Sequence, residues 1–446
     1  MRRAWWLAIS VLALAGVVYL VLEARSPATR WTASSSEALE ELRQGLLAEE
    51  KYYHAEAAAH YRHALELDPG LAVAKLRLAR RLDRESDELV RLVQELERTD
   101  LEPLTERERL LVRYFLMEKS QADEARRILG EYLAEHPDDP YALELECEEL
   151  WRERRFDEVE SCYEQILALE PNWVTAQNRL GYLAMAQGQV HAAEDRFRTY
   201  RYVAPDQANP HDSLGELLVL GGRHDEARRE LEEALAIRPD FCISYANLTS
   251  SAMYAGEIDL ARTYLRRAGE EEACRELADR HACRLEDYSL YHARRWEELA
   301  SRWSGPCHEA GYASPWLPYL AALHTGDEQQ LGAIQGKVAA ESSEAKEATE
   351  GLRRSLEGLR ATAHGDLDAA QAAFAAADGA VDYWGLGAGM FKLLNRLMWV
   401  EAARRDGETA TAERLLGEVE TINPALVAAY REGDVPVAPH PGDPGP

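Results

Sequence analysis

The sequence predicts an all-α fold, a solenoid of stacked helical hairpins, from its period and its composition. Prolines recur at a constant spacing of 34 residues over five successive steps, and a fixed period in this range indicates stacked repeats. They stand at Pro69, Pro103, Pro137, Pro171, Pro205 and Pro239. Ala, Leu, Glu and Arg are abundant, and no sustained alternating run of β-branched residues predicts a strand. We therefore expect one array in which each unit contacts mainly its neighbours.

The stretch LGELLVLGGRHDEARRELEEALAIRP, residues 214–239, shows how one unit is built. The first helix carries an apolar face formed by Leu214, Gly215 and Leu218. The second helix carries the apolar stripe that faces it, formed by Ala227, Leu231 and Ala234. Gly221 and Gly222 end the first helix, because glycine permits positive φ. Gly215 and Ala227 are small, which predicts that the two helix axes cross closely at these residues.

A Leu-Gly pair, an alanine, a larger apolar residue, a second alanine and a proline at these offsets resemble the tetratricopeptide repeat (TPR) family. The same marks stand at Gly45, Ala57, Tyr61 and Ala64, at Leu248, Gly256, Ala261 and Ala268, and at Gly358, Ala370, Phe374 and Ala377. The resemblance implies a right-handed superhelical solenoid, with a TPR array over 37–275 and degenerate TPR-like repeats over 276–432. Seven units precede residue 275 and about four follow it. The unit that ends at Pro103 is expected to be distorted, because its second apolar stripe slips about two residues out of register.

Residues 1–30 differ from the repeats and predict a single transmembrane helix that anchors the chain. Ala4 to Leu22 are nineteen uncharged residues, which at about 1.5 Å of rise per residue span roughly the 30 Å hydrocarbon core. The alternative is a cleavable signal peptide, whose apolar region normally has only about 7 to 15 residues. No cysteine follows the apolar stretch, which argues against a lipoprotein-type anchor there.

The charges that flank the apolar segment bear on the orientation of the array. Arg2 and Arg3 favour a cytoplasmic N-terminus, whereas Arg25 and Arg30 lie just beyond the segment and nearly balance the count. A three-residue tail with two arginines is nevertheless hard to translocate. We therefore expect the array outside the cytoplasm, in the periplasm if the cell is bacterial.

The net charge of the chain bears on which classes of partner it can bind. Seventy-nine acidic against fifty-one basic side chains give a net charge of −28, which opposes binding to nucleic acids and to anionic lipid surfaces. One interpretation is a basic partner, and the other is a charge-rich repeat surface without a specific role. The end of the chain, 433–446, is rich in proline and glycine and is expected to be disordered.

The six cysteines favour buried or bridged side chains over a metal site. Cys147 and Cys162 lie on the two antiparallel helices of one unit, where they can approach each other. Cys274 and Cys283 are nine residues apart, about 13 Å along a continuous helix, which is too far for a disulfide unless a turn intervenes. A zinc site would combine Cys274, His281, Cys283, Cys307 and His308. No tight C-x₂-C pair accompanies them, and we predict neither a metal nor a cofactor.

Two further patterns have simple structural interpretations. Gly385, Gly387 and Gly389 follow no predicted strand and lack a third glycine at the dinucleotide-binding spacing, so we interpret them as a flexible start of a helix. His60 and His63 lie three apart on a helix without an accompanying acidic ligand motif, and are expected at the surface.

Three functions from different classes are compatible with these patterns. The first is a membrane-tethered scaffold that binds a partner protein and helps to assemble or localise an envelope complex, as the TPR resemblance implies. The second is a TPR regulator on the cytoplasmic face, similar to the membrane-anchored repeat proteins of lipopolysaccharide control, although their paired C-x₂-C motifs are missing here. The third is an enzyme with an active site within 276–345, where no further cluster of catalytic residue types is evident. We expect a scaffold and not an enzyme.

In the TPR family the first helices of successive units line a concave groove, and steps of 34 residues give its rows here. The predicted partner-binding residues are Tyr114, Met117, Glu144, Glu148, Trp151, Asn178, Tyr182, Met185, Asp212, Glu216, Val219 and Met253. The carboxylates would repel an acidic tail, and the aromatic and methionine side chains are adaptable apolar anchors. We expect an extended or helical partner segment that carries Lys or Arg beside apolar residues. The alternative is that Trp151 and the methionines pack between units.

Overall fold

A computed structural model describes residues 31–341 and 348–439. Within these ranges every regular element is a helix, as the composition predicts. The predicted transmembrane helix over 1–30 lies outside the described residues. None of the helices inside the described ranges combines the length and the apolar character that a bilayer crossing requires.

The described chain divides into two compact units, one up to Ala176 and one from Gln177 onward, whereas the sequence placed a limit after residue 275. Each unit is a series of helical hairpins. The helices of the N-terminal unit are α1 (Ser36–Glu50), α2 (His54–Leu67), α3 (Ala72–Ala79), α4 (Asp87–Glu97), α5 (Glu106–Met117), α6 (Ala122–Glu135), α7 (Pro140–Arg152) and α8 (Phe156–Leu169).

The C-terminal unit begins within α9 and continues the same pattern. Its helices are α9 (Val174–Ala186), α10 (Val190–Val203), α11 (Ala208–Leu220), α12 (His224–Ile237), α13 (Cys242–Tyr254), α14 (Ile258–Glu270), α15 (Arg275–His292), α16 (Trp296–Ser301), α17 (Pro306–Glu309), α18 (Trp316–Thr325), α19 (Glu328–Glu341), α20 (Ala348–His364), α21 (Leu367–Ala380), α22 (Gly385–Asp406), α23 (Thr409–Ile422) and α24 (Pro424–Glu432). Among the described residues, seven hairpins precede residue 275 and four follow it, which matches the predicted number of units.

Four of the hairpins have a glycine on the first helix that faces a large residue on the second. A Cβ atom added at Gly215 would lie 2.6 Å from Cγ of Leu231, and one added at Gly358 would lie 2.6 Å from Cε1 of Phe374. The same overlap occurs between Gly45 and Tyr61 and between Gly181 and Phe197. The two axes therefore cross as closely as the small residues predicted.

The second hairpin departs from the others, as its slipped apolar stripe predicted. Its first helix, α3, has only 8 residues, and α4 has 11. Residues 80–86 join them and replace the tight turn of the regular hairpins. Leu92 and Leu96 on α4 are nevertheless buried, so that the shortened hairpin still contributes to the core of the N-terminal unit.

The C-terminal unit curves until its last complete hairpin contacts its beginning. Helix α22 packs on α11, where a Cβ atom at Gly389 would lie only 2.7 Å from Cδ1 of Leu220. Nδ2 of Asn423, which precedes α24, donates a hydrogen bond of 2.9 Å to the carbonyl oxygen of Leu220. First helices that are about 170 residues apart in the sequence therefore share one core.

The described part of the predicted disordered tail is ordered. Val435 and Ala438 are buried. Three side chains of the unit donate hydrogen bonds to the segment: Tyr291 to the carbonyl of Pro436, His324 to that of Val437 and Arg405 to that of Ala438. Prolines exclude a helix, as predicted, but an extended segment can bind through its carbonyl oxygens. Residues 440–446 lie outside the described ranges.

All six cysteines form disulfides, which also uses every thiolate that a zinc site would need. The bridges are Cys147–Cys162, Cys242–Cys274 and Cys283–Cys307. The first is the pair expected within one hairpin, and its Cα atoms are 5.6 Å apart. Cys274 and Cys283 are not joined to each other, in accordance with their separation along one helix. Within the described ranges, no group of three or more His, Cys, Asp or Glu side chains is placed to hold a metal ion.

Candidate partner-binding site

The first helices of the hairpins form one face of each unit, which we call the inner face. The five predicted residues from Tyr114 to Trp151 lie on the inner face of the N-terminal unit, and the seven from Asn178 to Met253 lie on that of the C-terminal unit. In one of the rows predicted from the 34-residue step, two successive residues contact each other. The hydroxyl of Tyr182 donates a hydrogen bond of 2.6 Å to Oε2 of Glu216 on the next rung.

Helix α22 covers the inner face of the C-terminal unit at this pair. The backbone N–H of Leu386, in the first turn of α22, donates a hydrogen bond of 2.7 Å to Oε1 of Glu216. The ring of Trp384 lies 5.1 Å from that of Tyr182. Burial raises the pKa of Glu216 above its ordinary value and the pKa of Tyr182 well above its own. Both side chains thus bind a segment of their own chain, which corrects the expectation that they face a separate ligand.

The two polar residues of the next row, Asn178 and Asp212, are buried and hydrogen-bonded within the unit. Asp212 accepts hydrogen bonds from Oγ of Ser244 at 2.7 Å and from Nδ2 of Asn247 at 3.2 Å. Oγ of Ser213 donates to Oδ1 of Asn178 at 3.3 Å. Burial, and secondarily the charge of Glu216, raises the pKa of Asp212 to about 7. This carboxyl group is therefore part of the core and is not a surface charge.

The apolar residues Met185, Val219 and Met253 belong to the same core. Their exposed fractions are 1%, 0% and 4%. Their burial agrees with the alternative that the methionines pack between repeats, and Val219 is buried in the same way. Met253 also borders a cavity of the C-terminal unit that opens to the surface.

On the inner face of the N-terminal unit the predicted residues are less buried. Tyr114 is an exception, since it is fully buried and its hydroxyl donates to Glu149. The other four are half-buried: Met117, Glu144, Glu148 and Trp151. The ring of Trp151 stands edge-on to Phe156 at 5.9 Å, so that packing explains part of its position.

Two carboxylates form an electronegative spot on this inner face. Burial raises the pKa of Glu50, at the end of α1, to about 7, and the charge of Glu144 on α7 is the next cause. The charge of Glu49 also raises the pKa of Glu50, whereas the charges of Arg77 and Lys51 lower it, and Arg77 is paired with Glu49 at 3.1 Å. Oε1 of Glu144 accepts a hydrogen bond of 3.0 Å from Oγ1 of Thr175. Glu50 was not singled out from the sequence, because it ends α1 and does not fall on the 34-residue rows.

The segment just before α1 lies across the first turns of α5 and α7. The ring of Trp31 meets that of Tyr141 edge-on at 5.1 Å, and the guanidinium of Arg107 lies 5.6 Å from the Trp31 ring. Thr32 donates to Glu108 twice, from its backbone N–H and from its hydroxyl, each at 2.7 Å. The beginning of the described chain is thereby tied to the unit, next to the Glu50 and Glu144 spot.

Sequence reasoning missed the return of α22, although the glycine pattern contained a signal. Gly385 does start a helix, with φ of 73°, as expected. Gly389 has a different role: because it has no side chain, the side chain of Leu220 can pack directly against α22. A glycine inside a helix indicates the close approach of another element, but it does not identify that element.

Comparisons with known proteins give structural likeness only. No family profile matches the sequence, and none of the curated proteins is detectably similar. A chain of the APC/C hetero-tetramer Cut9–Hcn1 aligns at 16% identity and TM-score 0.43, over 96% of this chain and 76% of that one. Yeast Tom70 aligns at 13% identity and TM-score 0.41, over 87% and 93%, and the TPR domain of P58(IPK) at 12% and 0.23, over 90% and 97%. At these values the likeness carries no inference about function.

The repeat geometry itself defines the class. A 34-residue step, hairpins of two helices and, in four of them, a glycine that faces a large residue make the described chain a helical-repeat protein whose hairpins are similar to those of TPR proteins. Within this class, the inner face of the C-terminal unit is covered by α22, and that of the N-terminal unit bears half-buried acidic and aromatic side chains.

Proposed function

We propose that the chain is a protein-interaction scaffold and that its partner binds the inner face of the N-terminal unit. The observation that carries this proposal is the pair of carboxylates Glu50 and Glu144, which lie close enough for the charge of one to raise the pKa of the other. A cation from a partner would relieve this repulsion and favour both ionised forms. Met117 and Trp151 supply apolar surface near the same helices.

The partner segment therefore carries Lys or Arg beside apolar side chains. The net charge of −28 favours encounter with a basic segment over an acidic one. The C-terminal unit contributes no comparable surface at Tyr182 and Glu216, because α22 already binds there.

We further propose that residues 1–30 tether the array to a membrane and that the array lies outside the cytoplasm, in an envelope complex. Three disulfides with no free cysteine support this location, because disulfides persist in oxidising compartments and are rare in the cytosol. The alternative, a regulator on the cytoplasmic face, requires these cysteines to function in a reducing compartment.

Binding, and not catalysis, is the function we propose. Asp287 and His308 do form a buried pair within the range where an active site was considered, with Nε2 of His308 2.9 Å from Oδ2 of Asp287. The other oxygen of Asp287 accepts from Arg302. Nδ1 of His308 has no hydrogen-bond partner, so that no hydroxyl or thiol is positioned for activation. The pair joins α15 to α17 as a structural contact.

A pull-down from solubilised membranes tests the proposed surface. We expect the combined variant Glu144→Lys, Glu148→Lys and Trp151→Ala to lose the partner that the unchanged chain recovers, because it reverses the charge and removes an apolar anchor. The matched control changes exposed residues on second helices, with Glu131→Lys, Glu135→Lys and Leu169→Ala. If both variants remain helical and recover the same partner at the same salt sensitivity, the inner face of the N-terminal unit is not the binding site.

A further inference from the structure

A cavity of 470 Å³ that opens to the surface lies in the C-terminal unit, whereas the surface assigned to the protein partner belongs to the N-terminal unit. Its walls come from α13, α15, α17, α19, α20 and α22, from the start of α18, and from Trp303 and residues 311–315. They are mainly aromatic and aliphatic, with Tyr254, Tyr288, Trp303, Trp316, Met390 and Phe391 among them. Small-molecule sites typically have volumes of about 300–1,000 Å³ and such a lining.

The charged groups of the cavity wall are predominantly basic. Arg284 and Lys337 line it, together with the single carboxylate of Asp287. Asp287 is already paired with Arg302 and with His308, so that the charges of Arg284 and Lys337 are not balanced within the wall. In a chain with a net charge of −28, a basic apolar cavity is a local exception.

Both cations retain capacity for hydrogen bonds to a ligand. Nε of Arg284 donates to the carbonyl of Tyr312 at 3.2 Å, and Nζ of Lys337 donates to the carbonyl of His308 at 2.8 Å. A guanidinium has five N–H donors and an ammonium has three, so that further donors remain in each group. Nζ of Lys337 also lies 5.1 Å from the centre of the Trp303 ring, which places it at the boundary of the apolar wall.

A buried polar atom without a partner belongs to the same wall. The His308 side chain is fully buried and lines the cavity, and its Nδ1 has no hydrogen-bond partner. Such an atom is costly in a folded protein unless another molecule satisfies it. The disulfide Cys283–Cys307 joins the residues next to Arg284 and His308, and thus holds these two polar groups on their respective walls.

We propose that this cavity binds a small organic acid with an apolar body. The apolar body contacts the aromatic wall, and the carboxylate accepts hydrogen bonds from Arg284 and Lys337. A cation of the same size would meet two like charges, and a neutral analogue would leave both donors without an ionic partner. This ligand is additional to the protein partner, and its site lies in the other unit.

Isothermal titration calorimetry tests the proposal, with the full chain in amphipol titrated with 4-phenylbutyrate, 4-phenylbutylamine or 4-phenylbutanol. The fluorescence of Trp303 and Trp316 gives a second signal of binding. We expect one phenylbutyrate per chain and weaker binding of the alcohol and the amine. Arg284→Met and Lys337→Met each keep an apolar stem and should weaken phenylbutyrate about tenfold, the usual effect of one charge-assisted hydrogen bond. Neither substitution should change the affinity for the alcohol. Arg262→Met, an exposed arginine on α14, is the matched control and should change nothing.

Two results would overturn the proposal. One is the absence of saturable phenylbutyrate binding to the unchanged chain, and the other is an unchanged phenylbutyrate affinity in both folded charge variants. Because Arg284 is exposed, its replacement is not expected to unfold the chain, and circular dichroism of each variant verifies this. Loss of the protein partner in the pull-down described above leaves this measurement unaffected, so that the two proposals can fail separately.

Discussion

At the scale of the residue, Asp212 links burial to pH-dependent stability. Its pKa is raised from the ordinary 3.8 to about 7 by burial, so the folded chain keeps the proton over a range in which the unfolded chain loses it. The contribution of Asp212 to the free energy of unfolding is complete below pH 3.8. It is lost as the pH rises to about 7, by at most about 1.4 kcal/mol per pH unit.

We therefore expect Asp212→Asn to flatten the decline in unfolding free energy between pH 4 and 7. The asparagine carbonyl can still accept from Ser244 and Asn247, so the hydrogen bonds persist while the titration is removed. Urea unfolding of both chains across this range is the measurement, with Asp225→Asn, an exposed position on α12, as the control. Parallel pH profiles for the wild type and Asp212→Asn would refute this account of Asp212.

A second residue-scale prediction concerns the hairpin turns. Gly188, Gly222 and Gly256 have φ between 69° and 75°, and the equivalent residue one step earlier is Arg154, with φ of 58°. Gly256→Ala should destabilise the chain by about 1 kcal/mol, because a side chain is strained at this φ although space is open. Arg154→Gly relieves the same strain but also loosens the unfolded chain and removes the contact of the guanidinium with the Phe156 ring, so it should change the stability by less than Gly256→Ala. Thermal unfolding compares the two, and an Arg154→Gly chain destabilised as much as the Gly256→Ala chain would be inconsistent with turn strain.

At the scale of the element, the closeness of the hairpin helices predicts a local response to overpacking. A side chain at Gly181 must overlap the ring of Phe197, so Gly181→Leu should cost about 1 to 3 kcal/mol or more. Hydrogen exchange should increase first in α9, α10 and their neighbours, because repeats contact mainly adjacent repeats. Gly130→Leu on α6, where no atom lies within 4 Å of the added Cβ, is the control. Uniform loosening from α1 to α23 would argue against a repeat organisation.

The elements also show where sequence reasoning succeeds and where it stops. The hairpins could be predicted because each contact, such as Gly215 with Leu231, joins residues 16 apart within one period. The pairing of Tyr182 with Glu216 also followed from the 34-residue step. The contact between Leu386 and Glu216 spans 170 residues and depends on the summed curvature of many hairpins, which no local pattern encodes. For this reason the 34-residue rows predicted the neighbouring pair Tyr182 and Glu216 but not that α22 covers this pair.

At the scale of the whole molecule, the proposed location can be tested by fusion of reporters. We expect alkaline phosphatase fused after residue 430 to be active and a reporter that requires the cytoplasm to be inactive, because Arg2 and Arg3 favour a cytoplasmic N-terminus. The same fusion without residues 1–30 is the control and should lose phosphatase activity. The reverse pattern would place the array in the cytoplasm and favour the regulator.

We propose different occupants for the two inner faces: a partner segment for that of the N-terminal unit, and α22, which already lies there, for that of the C-terminal unit. Photo-crosslinking with p-benzoylphenylalanine at Trp151 or at Trp384, followed by mass spectrometry in membranes, tests both halves in one measurement. The side chain of Trp384 is 41% exposed, so the replacement fits at the start of α22. We predict that position 151 links to a partner segment rich in Lys or Arg and apolar residues, and that position 384 links within the chain to residues around Tyr182. Capture of the partner at position 384, with none at position 151, would contradict the account.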